Sequence, residues 1–236
     1  MVITMVVGFA LISALFLFNW RTLQNDTAPT GVALPRLLQL ALQPVRFFRA
    51  GVPSLPIYAL LLLSWGMGVL KVMDFTDAQI LKKNIGLEFN LLESVWNAWL
   101  PYWIWVAGVG VLAAGVVWFI GFWWYKKRLQ WSGAAASSPM QLRRVYVLSE
   151  AWLLIIVVGY MALNTLRYDN PNAAWIGEHG AATVIINLAY FYSLVISYFA
   201  VSTSFPVRRG RALFWFFVFP LLPCYFDLLS IVARMH

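Results

Sequence analysis

The chain has 236 residues, of which 62% are hydrophobic and 11% charged, with a net charge of +8. A soluble domain is nearer half apolar and a quarter charged, so one globular core cannot hide this excess and lipid must be the solvent for much of it. The positive charge does not point to nucleic acid, because the basic residues cluster at the ends of apolar runs, where membrane topology places them.

The pattern is that of an all-α, polytopic transmembrane helix bundle of about six spans. It divides into an N-terminal transmembrane helix (1–20), a cytoplasmic or interfacial amphipathic segment (21–55) and a five-span membrane domain (56–236). Residues 2–18 are uncharged and end at Trp20-Arg21. A secretory leader carries positive charge before its apolar core. This run has no Lys or Arg before it, so it reads as a retained helix with its N-terminus outside, a cleaved leader being the alternative.

Residues 21–55 mix Arg21, Arg36, Arg46 and Arg49 with Leu37, Leu38, Leu40, Leu42, Val45, Phe47 and Phe48. This suits a helix in the headgroup layer with its arginines near anionic lipid, or a loop packed on the bundle. Pro44 should break or bend it. The second span is read at 56–70, opening on Pro56. A polar connection then covers 71–100, where Lys71, Lys82 and Lys83 are balanced by Asp74, Asp77, Glu88 and Glu93. Phe89, Leu92, Trp96 and Trp99 at helical spacing suggest an interfacial helix on the outer face. Trp96, Trp99, Tyr102, Trp103 and Trp105 read as the aromatic belt where headgroups meet hydrocarbon, with a carbohydrate platform as the sharper alternative.

The third span, 102–125, carries Gly110 and Ala114 four apart, a spacing that lets helix backbones approach closely inside the bundle or, second, between copies. It ends in Lys126-Lys127-Arg128, followed by a small-residue loop and Arg143-Arg144. The fourth span is read at 145–166, with Glu150 about one turn inside it. The outer loop after it holds Arg167, Asp169, Asn170-Pro171 and Gly177-Glu178-His179-Gly180, which are turn residues rather than a ligand set. The fifth, 181–205, places Thr183, Asn187, Tyr190 and Ser197 near one face, where polar groups turn toward other helices. After Arg208-Arg209-Gly210-Arg211 the sixth span, 212–233, contains Pro220, Pro223 and Asp227.

The segments after spans one, three and five carry twelve Lys and Arg: Arg21, Arg36, Arg46, Arg49, Lys126, Lys127, Arg128, Arg143, Arg144, Arg208, Arg209 and Arg211. The segments after spans two and four carry four. This bias puts the first set in the cytoplasm and both termini outside.

From residue 40 onward the chain resembles the Yip domain family, the Ypt- or Rab-interacting membrane proteins and their bacterial relatives. The resemblance rests on Gln43-Pro44-Val45-Arg46-Phe47-Phe48, a helix ending in Lys126-Lys127-Arg128, a short Gly-bearing loop leading to Leu142-Arg143-Arg144-Val145-Tyr146-Val147, and Arg208-Arg209-Gly210-Arg211-Ala212. It implies five spans and an integral membrane organiser or accessory subunit without an established catalytic site. The chain departs from the family in its span at 2–18 and in having one Gly in the loop where many members have two. The long cytoplasmic arm of eukaryotic members is missing, which favours a bacterial inner membrane.

No Gly-rich phosphate loop or Ser/His/Asp arrangement is present. Cys224 is single and the histidines are His179 and His236, so no catalytic residue, metal or cofactor is expected. Glu150 and Asp227 are the informative acids, because a mid-membrane charge costs about 2.5–3.5 kcal/mol and usually faces the bundle or a wet cavity. Glu150 can pair with Arg143 or Arg144. Two readings follow. The first is a non-enzymatic accessory subunit that docks to other integral membrane proteins, in a hetero-complex or homo-oligomer, with membrane lipid around it and no nucleic acid. The second is a small transporter subunit using Asp227, Glu150, Asn187 and Tyr190.

Overall fold

The structure, a computed structural model, describes residues 2–24, 35–84, 93–134, 138–177 and 181–222. Every regular element among the described residues is helical: α1 (Val2–Gln24), α2 (Arg36–Leu42), α3 (Pro44–Arg49), α4 (Ile57–Asn84), α5 (Glu93–Trp96), α6 (Trp99–Val116), α7 (Phe122–Trp131), α8 (Pro139–Arg167), α9 (Pro171–Gly177), α10 (Ala181–Ser204) and α11 (Arg209–Leu213). Two π turns, Val117–Gly121 and Phe214–Val218, interrupt the α geometry. Five stretches are long and apolar enough to cross a membrane: Val6–Gln24, Ile57–Ile80, Trp99–Trp131, Pro139–Arg167 and Val184–Ser204. The expected sixth span opens as a helix at Arg209 and is described to residue 222. Pro223, Cys224, Asp227, Arg234 and His236 lie outside the described residues, as do Phe89, Leu92, Glu178 and His179.

The second span differs most from the sequence reading. A helix over 56–70 would be about 22 Å long, short of a hydrocarbon core of about 30 Å. α4 instead continues to Asn84 and takes Lys71, Asp74 and Asp77 with it. Val72, Met73, Thr76, Gln79 and Ile80 extend its buried stripe. Lys71 and Asp74, three apart, meet at 3.7 Å on the exposed side. The polar connection is correspondingly shorter, and of the interfacial helix only α5 is described, with Val95 and Trp96 buried.

The compact units are not consecutive segments. Unit 1 comprises Met1–Val6, Leu55–Phe122 and Ala151–Ala189; unit 2 comprises Val7–Ser54, Trp123–Glu150 and Tyr190–His236.

In unit 1, α4 and α6 run antiparallel, since Gly68 meets Gly110 and Ala114 while the later Thr76 meets the earlier Trp105. A Cβ on Gly68 would stand 2.2 Å from the Gly110 carbonyl oxygen and 2.5 Å from the Ala114 nitrogen. Only glycine permits that approach, so Gly110 and Ala114 are packing residues within one chain. The expected aromatic belt turns inward here. Trp96 and Tyr102 are fully buried. The indole N–H groups of Trp65, Trp99, Trp103 and Trp105 donate to Ala107 O, Tyr168 O, Thr165 Oγ1 and Thr76 Oγ1. The two threonines donate in turn to carbonyls of their own helices, Met161 O and Val72 O. Each hydroxyl thus satisfies an indole without losing its own proton's partner.

Unit 2 is held largely by rings. Phe16 of α1 stacks with Trp20 and Tyr198 and meets Phe199 and Phe217. α2 ends at Leu42 and α3 begins at Pro44, the break expected where proline lacks an N–H. Leu40, Ala41, Val45, Phe47 and Phe48 are buried while Leu38 and Leu42 are exposed, so this amphipathic pair is packed on the unit along one side. Pro220 cannot donate to Phe216, and the helix widens just before it: Phe219 N–H bonds Phe214 O, five residues back.

Candidate functional site

Unit 2 gathers the chain's positive charge. Its described residues include the twelve Lys and Arg named above and a single acid, Glu150, whereas the described residues of unit 1 carry four of each sign. These residues stand differently from the loop placement expected of them. Lys126, Lys127 and Arg128 lie inside α7, Arg143 and Arg144 inside α8, and Arg209 and Arg211 inside α11. The reason is length. The helical stretch Trp99–Trp131 has 33 residues, about 50 Å, and outruns the hydrocarbon.

Several of these cations tie the basic end together. α1 leaves its last carbonyls without intrahelical donors. Arg49 reaches Thr22 O at 3.0 Å and Arg209 reaches Leu23 O at 3.3 Å, and positive charge is favoured at a helix C-terminus. Asn19 donates to Leu42 O, and the buried Tyr192 hydroxyl donates to Ala41 O, which hold α2 in place. The turn after α7 closes on the segment before α11 through Arg208 N–H to Ser132 O at 2.9 Å. Gly133, at φ +87°, makes that turn and lies against the Arg208 side chain.

Arg128 is half-buried among rings. Its guanidinium sits 4.8 Å from the Phe216 ring centroid and 5.5 Å from that of Tyr125, and it donates to Trp215 O at 3.5 Å. Glu150 is half-buried and interacts electrostatically with Arg128, Tyr125 and Tyr146. The Tyr125 hydroxyl is completely buried beside Ser149 and Ser197 without closing a hydrogen bond of good geometry to either. Ser149 donates instead to Tyr146 O.

The other expected polar residues separate. Asn187 is exposed, Tyr190 is half-buried and Ser197 is buried, so they do not form one inward-facing row. The buried side of the first half of α10 is taken by Val184, Ala189 and Tyr192 instead. Asp227 and the Glu178-His179 pair lie outside the described residues. Asp77, read from the sequence as part of a polar connection, and Tyr102, read as a belt residue, stand instead as an acid and a fully buried hydroxyl on the facing helices α4 and α6. The signal was present in Lys71, Asp74 and Asp77, whose spacing of three continues a helix. Compared with protein-family models, curated proteins and solved structures, the chain finds no match.

Proposed function

We propose that the chain is a non-enzymatic, Yip-like integral membrane protein, an accessory or organising subunit that docks to other membrane proteins and modulates them. The basic end of unit 2 faces the cytoplasm of a bacterial inner membrane, and both termini lie outside. The observation that carries this reading is the concentration of twelve cations against one acid among the described residues of a unit whose segments are cross-tied by guanidinium and backbone hydrogen bonds. Such an end offers a fixed cationic surface to anionic headgroups or to an acidic partner.

The test is purification in mild detergent after cross-linking, with mass spectrometry of what travels with the chain. A docking subunit brings a defined membrane partner and moves no solute when reconstituted alone. Flux from the chain alone, lost on Glu150→Gln, would replace this reading with the transporter one, which draws on the half-buried Glu150 and its buried serine neighbours. Orientation is checked by single-cysteine labelling: a Ser138→Cys variant, at an exposed position of the same loop, should react only from the cytoplasmic side, and reaction only from outside overturns the assignment.

A further inference from the structure

The α4–α6 contact of unit 1 brings together two polar groups that the packing leaves unanswered. Asp77 is half-buried, and among the described residues no hydrogen bond or ion pair engages its carboxylate. Tyr102 is fully buried and its hydroxyl has no hydrogen-bond partner. The antiparallel register set by Gly68 against Gly110, and by Trp105 on Thr76, puts position 102 opposite position 77. The Tyr102 hydroxyl accordingly feels the Asp77 charge more strongly than that of Asp74. Buried polar groups left in this state cost free energy unless something meets them.

The local charges narrow what that is. Lys71 already answers Asp74 at 3.7 Å, which leaves Asp77 as the one acid without a countercharge among the described side chains of α4. The other elements packed on α4 add no acid: α6 contributes only Tyr102, the π turn Val117–Gly121 and α9 contain no ionisable side chain, and the unit 1 part of α8, whose Leu154 meets Gly66, carries Tyr160 and an exposed Arg167 that lies over the Tyr168 ring. A hard divalent ion takes six or more oxygens and several carboxylates. One carboxylate with one phenolic oxygen suits a single positive charge.

We propose that Asp77 and Tyr102 form a site for one small monovalent cation, either a proton or an alkali-metal ion. The carboxylate supplies the charge and the phenolic oxygen the second contact. With a proton, the neutral Asp77 acid donates to the Tyr102 oxygen. With a metal ion, both oxygens coordinate it directly and solvent completes the shell through the open side of Asp77.

The experiment uses the full chain in neutral detergent and follows thermal unfolding by tryptophan fluorescence. A ligand of the folded state raises the midpoint, here by about 2–4 °C. A rise when sodium or potassium chloride replaces choline chloride at equal ionic strength identifies a metal ion. A rise in choline chloride on mild acidification identifies a proton. Asp77→Asn should lose the response, and Tyr102→Phe should need roughly tenfold more cation. A flat wild-type profile in both series, an Asp77→Asn variant responding like wild type, or an unchanged Tyr102→Phe would overturn the proposal. Should the variants fail to fold, the wild-type protein decides. A carbodiimide, which modifies protonated carboxyls in apolar surroundings, should label Asp77, and raised pH or alkali-metal ion should suppress it. Absence of label at Asp77 sinks the site.

Discussion

Units 1 and 2 join their helices by different chemistry. Unit 1 brings backbones into contact at Gly68, Gly110 and Ala114 and fastens them with indole N–H bonds. Unit 2 packs rings around Phe16 and Phe216, and ties helix ends with arginines. In lipid, helices gain nothing from burying apolar surface alone, so close van der Waals approach and hydrogen bonds must hold them. Unit 1 uses small residues for this and unit 2 uses guanidinium groups. Under the proposed function, the same arginines would serve both as struts and as the charged surface that meets a partner.

The contrast can be broken most severely at Gly68. Gly68→Val places atoms on the backbone of α6, which cannot yield as a side chain can. The expected loss is about 3 kcal/mol, read as unfolding at lower detergent-denaturant fraction. Gly108→Ala is the matched control. Nothing stands within 4 Å of that position, so the variant should match or exceed wild type by less than about 1 kcal/mol.

In unit 2, Arg128→Gln removes the charge over Phe216 and leaves Glu150 without it. The expected cost is about 2 kcal/mol. Adding Glu150→Gln should restore part of it, and strict additivity of the two changes would show that they are not coupled. Next in size are the exposed Arg208 and Arg211. Each change to Gln should weaken retention of anionic over zwitterionic lipid by about 1 kcal/mol, measured on co-purified lipid. The smallest effect belongs to a single clamp of unit 1. Trp105→Phe loses the bond to Thr76 and should cost about 0.6 kcal/mol, the average for an interhelical hydrogen bond in a membrane.

The membrane-spanning character was legible because uncharged runs of sufficient length have few other uses. The helix ends were not. Hydropathy falls where the lipid ends, whereas a helix stops where its backbone bonds run out. Lys126 and Arg143 therefore belong to helices that were expected to have ended or not begun. α4 hid the same way, because an ion-paired Lys71 and Asp74 resemble a loop in composition. Gly110 and Ala114 stood out by spacing, but Gly68, the residue they require, became evident only once α4 and α6 were paired. Tyr102 has the composition of a belt residue and the burial of a core residue, and only the neighbouring helix decides between them.

The committed indole protons of unit 1 give the fold a spectroscopic handle. Trp65, Trp99, Trp103 and Trp105 each hold their N–H in a bond within the protein, so those protons should exchange slowly with deuterated solvent. Trp123 and Trp131, with exposures of 54% and 42%, would report the surroundings instead, and isotope exchange could follow each population without any added label.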